Sequence, residues 1–250
     1  MKPSKVAICF SGELRTFNVA LPLLLNDFFC DTNADIFLHT WNVTGDHKHT
    51  DLELAHLQAI VHNSHHNLVQ LKVDSPINHS GPFGSMLYSI QQANWMKRQH
   101  EIEQHFDYDL VIKSRYDMLV RPGTRFYITD ITDRTLYYSL GNRGLVHTDV
   151  GKHGLSDIIF WGDSPTIDIA CDTYRHYNWK AYPRYLELMN GNMQDPSDSM
   201  LSPGTLIYQR TLKRNVQVRQ IEPQYSETLW RSKVEHLDPN NNFDEIRQAY

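Results

Sequence analysis

The chain has 250 residues, 24 basic and 29 acidic side chains and a formal net charge of −5. With a pI near 6.2, it lacks the basic excess of a protein that grips nucleic acid through its phosphates, and it is long enough to bury a sizeable core. Cys9, Cys30 and Cys171 are too few and too widely spaced for a disulfide framework or a Cys-x-x-Cys metal site, and the apolar run Val6–Phe10 is too short for a signal-peptide core or a membrane span. A soluble protein of a reducing, cytoplasmic compartment is expected, the host cytoplasm if the source is viral.

Val6–Phe10, cut off by Ser11-Gly12, reads as a buried strand that ends in a tight turn. Phe17, Val19, Leu21, Leu24, Leu25 and Phe28 predict a helix from Thr16 to Phe29, with Pro22 acceptable only near its first turn. Asp35–Trp41 is the second strand, and the order strand, helix, strand opens a parallel sheet. A helical stretch over Asp51–His62 leads to a third strand, Leu68–Val73, and then to a loop from Asp74 to Gly84 that holds two prolines and two glycines. Met86, Ile90, Ala93 and Met96 space a helix that runs to about His105, and Tyr108–Lys113 is the next buried strand.

The second half reads as richer in strands, over Phe126–Ile128, Thr135–Leu140 and Ile158–Trp161. Gly141, Gly144, Gly151 and Gly154 fall between the last two, a composition that suits a lid over a site. Thr166–Met189, interrupted near Pro183, and Leu201–Leu212 read as helices. No repeat, linker or low-complexity tract divides the chain. The expected fold is one α/β domain over residues 1–250, a doubly wound, mostly parallel sheet with helices on both faces. Residues up to about 117 would form its nucleotide-binding half and 118–250 its acceptor-binding half.

In open α/β sheets, ligands bind outside the carboxyl ends of the strands. Three groups stand there: Ser11-Gly12-Glu13-Leu14-Arg15, His39-Thr40-Trp41 and Ser114-Arg115-Tyr116-Asp117. Gly12 lets a nucleotide approach the backbone, and helix-start amides with Arg15 favour phosphate; a plain strand-to-helix turn with a surface arginine explains the same residues equally well. Arg115 and Asp117 share a side if the extended chain continues. They supply both means of neutralising a diphosphate, a guanidinium and a carboxylate that holds a metal. A surface ion pair is the plainer alternative.

Val6–Arg15, Asp35–Trp41 and Tyr108–Asp117 together resemble a group of small GT-A-like glycosyltransferases of bacteria, phages and large viruses, over about residues 5–165. The resemblance implies a nucleotide held by Ser11, Gly12, Arg15, His39 and Trp41. It also implies an Asp-x-Asp motif that holds Mn²⁺ or Mg²⁺ and the sugar diphosphate. Arg115-Tyr116-Asp117 stands in that place, so only Asp117 is left to hold a metal directly and Arg115 takes over part of its electrostatic work. Asp157 stands where a carboxylate is expected to face the acceptor, as the general base, although a turn-capping carboxylate would look the same. His236 is a candidate late metal ligand, and Asp149 and His153 are weaker candidates for acceptor contact. The acceptor would be a surface glycan or, for a phage-encoded enzyme, a modified DNA base in a groove lined by Lys97, Arg98, Lys113, Arg121 and Arg125.

Two rival classes remain. A non-catalytic nucleotide- or glycan-binding domain has the same sequence signals. A metal-dependent phosphohydrolase needs clustered carboxylates or histidines, and Asp117 has no acidic neighbour within four residues. Among the 14 histidines, His47, His49, His62, His65 and His66 raise a zinc site, but no cysteine or carboxylate at a matching spacing is evident and solvated polar surface is the plainer reading. Trp41, Tyr88 and Trp161 suit either stacking on a base or sugar or a place in the core.

Overall fold

The computed structural model describes residues 3–44, 47–77, 81–120, 124–126, 130–139, 158–176, 203–221 and 227–228. Along the chain come β1 (Val6–Gly12), α1 (Phe17–Leu23), a π-helical turn (Leu24–Phe28), β2 (Ala34–Trp41), β3 (Val43–Thr44), β4 (His47–Lys48), α2 (Asp51–His62), β5 (Asn67–Asp74) and α3 (Gly81–Gln104). Then follow β6 (Leu110–Ser114), β7 (Leu119–Val120), β8 (Thr135–Ser139), β9 (Phe160–Gly162), α4 (Ser164–Cys171), α5 (Thr173–His176), α6 (Pro203–Lys213), β10 (Gln217–Ile221) and β11 (Glu227–Thr228).

Seven strands form one sheet in the order β10-β8-β9-β6-β1-β2-β5. Neighbours run parallel except at β9, which is antiparallel to both β6 and β8. This is the expected α/β class, with a mixed and mostly parallel sheet. Strands from both halves of the chain enter it. Two antiparallel ribbons lie outside it, β3 with β4 and β7 with β11.

Helices cover both faces, which is why β1 is apolar without alternation. Val6, Ile8 and Phe10 turn to the side packed by α1, the π turn and α2, while Ala7 and Cys9 turn to α3 and α4. Each fully buried Leu or Phe there contributes roughly 1.5–3 kcal/mol. Of the positions spaced along α3, Ile90, Ala93 and Met96 are each 1 % exposed or less, while Met86 is only partly buried and its neighbour Leu87 takes the core position.

The first helix differs from expectation. Pro22 is the sixth residue of α1 and so lies beyond the first turn, where it has no N–H to give to the helix. The chain answers by widening into the π turn, in which the Phe29 N–H donates to the Leu24 carbonyl at 2.8 Å. Of the strand expected over Phe126–Ile128 only Phe126 falls among the described residues; it lies in irregular chain, with its N–H donating to the Phe28 carbonyl at 2.7 Å. α2 begins with a reciprocal cap. The Glu53 N–H donates to the Thr50 hydroxyl at 3.2 Å and the Glu53 carboxylate accepts the Thr50 N–H at 2.8 Å.

Lys97 ties α3 to α4. Its ammonium, fully buried, pairs with Glu101 at 2.8 Å and Asp168 at 2.9 Å and donates to the Ser164 hydroxyl. Burial alone would lower its pKa, but Asp168 and Glu101 outweigh this and raise it. Lys113 is likewise buried, so neither lysine lines the basic surface groove considered for a DNA acceptor. Among the described residues no helix is long and apolar enough to cross a membrane.

Candidate functional site

The strand order reverses between β1 and β6. From β1 the chain adds β2 and β5 on one side and then turns to the other, where β6 lies next to β1, β8 is laid down two places away, β9 fills the gap between them and β10 takes the edge. Ligands of open α/β sheets bind in the crevice outside the carboxyl ends at such a point. The registers Phe10↔Ser114 and Ser11↔His39 bring the ends of β1, β6 and β2 to one edge of the sheet, and with them Ser11, Gly12, His39, Trp41, Arg115 and Asp117.

Gly12 has φ +132, which L side chains rarely adopt, and a Cβ added there would meet nothing within 4 Å. Backbone conformation, not lack of room, therefore demands glycine, and the space beside it is open. Its N–H donates to the Ser89 hydroxyl at 3.0 Å, and its carbonyl accepts the Thr40 hydroxyl at 3.0 Å. Ser11 is buried beside it.

His39 is fully buried, with Nδ1 2.8 Å from Ser89 Oγ and Nε2 3.1 Å from Asp74 Oδ2. The carboxylate only accepts, which assigns the ring proton to Nε2 and makes Nδ1 the acceptor of the Ser89 hydroxyl. Burial lowers the His39 pKa to about 4 against the opposing pull of Asp74, so the ring is neutral near pH 7. Asp74 also accepts the Tyr88 hydroxyl at 3.1 Å and pairs with Lys72 at 3.0 Å. Trp41, 4 % exposed, stacks on Tyr88 at 5.6 Å and meets the His39 ring edge-on at 5.1 Å. His39 and Trp41 thus stand behind the sheet edge and hold it. Trp161 is buried against Tyr137 and Phe126.

Beyond β6, Arg115 Nε and Nη2 donate to the two oxygens of Asp117, each at 2.7 Å. The side chains are 13 % and 5 % exposed, so this bidentate pair is largely withdrawn from water. Between them Tyr116 points inward, stacked on Phe10 at 5.8 Å, and its hydroxyl donates to the His39 carbonyl at 2.5 Å. Mn²⁺ or Mg²⁺ needs several oxygen ligands. Both oxygens of Asp117 face a guanidinium, so this carboxylate does not fit such an ion while the pair stands. Within the pair the charge of Arg115 is matched by Asp117, and the guanidinium keeps Nη1 outside the two hydrogen bonds given to that carboxylate.

A cleft of about 440 Å³ opens beside the β1 turn, lined by Arg15, Asn18, Thr44, His47, His49, Glu53 and His56 among others. Arg15 enters it bound to Glu13 at 2.8 Å. His47, His49 and Glu53 each offer a ligand atom within 4.8 Å of the others. Burial lowers the His49 pKa, and the Thr50 N–H, ahead of His47, draws that of Glu53 down to about 2. His66, by contrast, is buried in the fold, its rings bonded to the Leu25 carbonyl at 3.1 Å and the Ala34 N–H at 3.3 Å.

Asp157, Asp149, His153, His236 and the glycine-rich segment 141–154 lie outside the described residues. Two groups escaped sequence reasoning. Asp74 and Ser89 fall 35 and 50 positions from His39, and no local pattern joins them. The His47, His49 and Glu53 group did leave a signal: His-x-His puts both rings on one side of a strand, and Thr50-x-x-Glu53 announces a helix start that turns the glutamate back toward them. No family model matches the chain, and a search of curated proteins finds no match.

Proposed function

We propose that this chain is a glycosyltransferase that moves a sugar from a nucleotide-activated donor to a hydroxyl acceptor, with the donor seated across the carboxyl ends of β1 and β6. The observation that carries the reading is the meeting, where the strand order reverses, of Gly12 with open space at its Cα and the bidentate Arg115–Asp117 pair. The glycine admits the nucleoside close to the backbone, and the guanidinium neutralises the diphosphate and the charge that grows on it as the sugar leaves. Asp117 orients Arg115. Asp157, shortly before β9 in the chain, is the proposed base for the acceptor hydroxyl. The mostly parallel sheet with helices on both faces supports the reading as the fold class that the sequence resemblance implies. With Lys97 and Lys113 buried, a surface glycan is favoured over DNA as acceptor.

The test is a panel of nucleoside diphosphates and nucleotide sugars, read first as thermal shift and then as transfer of labelled sugar. A ligand at 100 times its Kd stabilises the folded chain by about 2.7 kcal/mol, so the correct donor nucleotide raises Tm by several degrees. A shift without sugar transfer or donor hydrolysis would turn the reading into a binding module. No shift with any nucleotide would remove the donor site.

A further inference from the structure

We infer that His47 Nε2, His49 Nδ1 and Glu53 Oε1 form a binding site for a divalent transition-metal ion, best matched by Zn²⁺, that opens into the cleft beside Arg15. The donor set is the first ground. Two imidazoles and one carboxylate are a familiar zinc combination for sites that keep a fourth position open, whereas Mg²⁺ and Ca²⁺ favour oxygen alone. Distance is the second. Zinc with ligands at about 2.0–2.1 Å in a tetrahedron sets them about 3.3 Å apart. Here His47 Nε2 is 2.9 Å from Glu53 Oε1, and His49 Nδ1 is 3.8 Å from the same oxygen. Small adjustments of side chains bring all three onto one ion.

The third ground is independent of the cluster's composition. The His49 side chain is 2 % exposed, and its Nδ1 is buried with no hydrogen-bond partner. A buried ring nitrogen without a partner is uncommon and calls for an explanation. The other nitrogen of the ring, Nε2, lies 2.8 Å from the Thr44 hydroxyl. If Nε2–H donates there, the Nδ1 lone pair is left facing Glu53, and an outer hydrogen bond of this kind is what orients a metal-bound histidine. Glu53 is held from behind as well, since Oε2 accepts the Thr50 N–H and hydroxyl at 2.8 and 3.1 Å; His47 Nε2 meets both oxygens, at 2.9 Å from Oε1 and 3.1 Å from Oε2, and Oε1 is the one that also faces His49.

Backbone structure fixes all three positions. β4 pairs with β3 in the register Thr44↔His47, the His49 N–H donates to the Asn42 carbonyl at 2.8 Å, and Glu53 sits in the first turn of α2. One carboxylate leaves a bound Zn²⁺ with net positive charge, and Arg15 lines the same cleft. The fourth position therefore favours water or an anionic oxygen. Uptake displaces the proton through which His47 bonds Glu53. The donor site proposed above uses other residues, Arg15 apart, so either reading can fail while the other stands.

The experiment strips the full chain with a chelator and titrates it with Co²⁺, whose visible absorption reports coordination geometry, followed by displacement with Zn²⁺. The expected result is one Co²⁺ per chain with tetrahedral or five-coordinate bands, bleached by one equivalent of Zn²⁺. His47→Ala is the main variant, because that side chain is 60 % exposed and its loss leaves the fold intact; it should weaken binding at least 100-fold. Glu53→Gln, which preserves the helix cap, should weaken it at least 10-fold, and Thr44→Val about 10- to 100-fold through the lost orientation of His49. His62→Ala is the control on the exposed histidines and should change nothing. Absence of stoichiometric Co²⁺ uptake, or equal affinity of the His47→Ala variant, would overturn the inference; so would loss of binding in His62→Ala.

Discussion

Ser89 Oγ lies 2.8 Å from His39 Nδ1 and also takes the Gly12 N–H at 3.0 Å, so one hydroxyl on α3 locks the end of β2 to the end of β1. Ser89→Ala strips a partner from a buried ring nitrogen and from the Gly12 amide together. It should lower the unfolding free energy by about 1–3 kcal/mol. Denaturant titration measures this, and an unchanged midpoint would mean that water or a shifted Gly12 replaces the hydroxyl at no cost.

Arg115→Lys keeps the charge but loses the fork that grips both oxygens of Asp117. A charge-assisted contact contributes about 1.5–3 kcal/mol, so a nucleoside diphosphate that binds the parent protein should bind roughly 10- to 100-fold more weakly. Arg15→Ala should have a smaller effect, since Arg15 is half-exposed and shared with Glu13. Calorimetry on both variants decides between them. Undiminished affinity in Arg115→Lys removes Arg115 from the donor site.

The parts of this fold that the sequence makes legible are those set by local pattern. The apolar run of β1 announces burial on its own, and so does the spacing of Ile90, Ala93 and Met96 in α3, whereas Met86, read as part of the same stripe, is only partly buried and Leu87 takes the core position. Asp51–His62 is a helix in the sequence and in the structure alike, because its capping residues are neighbours in the chain. The Pro22 distortion is half legible: the proline lies beyond the first turn whether the helix starts at Thr16 or at Phe17, but the π turn that accommodates it is not announced by any local pattern. What local pattern cannot show is the company that β1, β2 and β6 keep at their ends. His39 reads as a ligand contact from its position after a strand. Only the fold reveals that Ser89 and Asp74 enclose it. Asp117 reads as a metal carboxylate until the guanidinium two residues before it is seen to fold back onto both its oxygens.

Lys97, fully buried, joins the buried Glu101 to the partly exposed Asp168. Lys97→Met keeps most of the volume and removes the charge, leaving Glu101 and Asp168 to lose a buried partner. Asp168 retains Arg98 at 3.1 Å and the Asn94 amide at 2.9 Å, and Glu101 retains the Tyr108 N–H at 2.9 Å. The expected loss is therefore near the lower end of the 3–5 kcal/mol seen when one partner of a buried pair is removed. Thermal and urea unfolding of Lys97→Met check it. A stable variant would mean that the carboxylates take up protons or water readily at this position.

Acid should destabilise the fold through His66 and His39 before its carboxylates titrate. Burial is the main reason that both histidines have folded pKa values near 4, against 6.5 for the free side chain. For His66 the Leu25 carbonyl pulls the other way and the adjoining His65 ring adds to the depression. A proton on Nδ1 would also set that nitrogen against the Ala34 N–H it now accepts. Between pH 6.5 and 4 the unfolded chain thus binds more protons than the folded one, so stability rises with pH across that window and is complete above about pH 7. Each ring contributes up to about 3 kcal/mol over the window. Glu53, with its pKa drawn down to about 2, acts mainly below pH 4.5, while His49, whose pKa burial also lowers, adds to the same slope in the parent and in the variant. The measurement is Tm against pH from 4.5 to 7.5 for the parent and for His66→Gln, compared by slope rather than by absolute Tm because the substitution also costs packing. A steeper parent slope identifies His66 as one source of acid sensitivity, and parallel slopes would mean that its ring takes up a proton in the folded chain as easily as in the unfolded one.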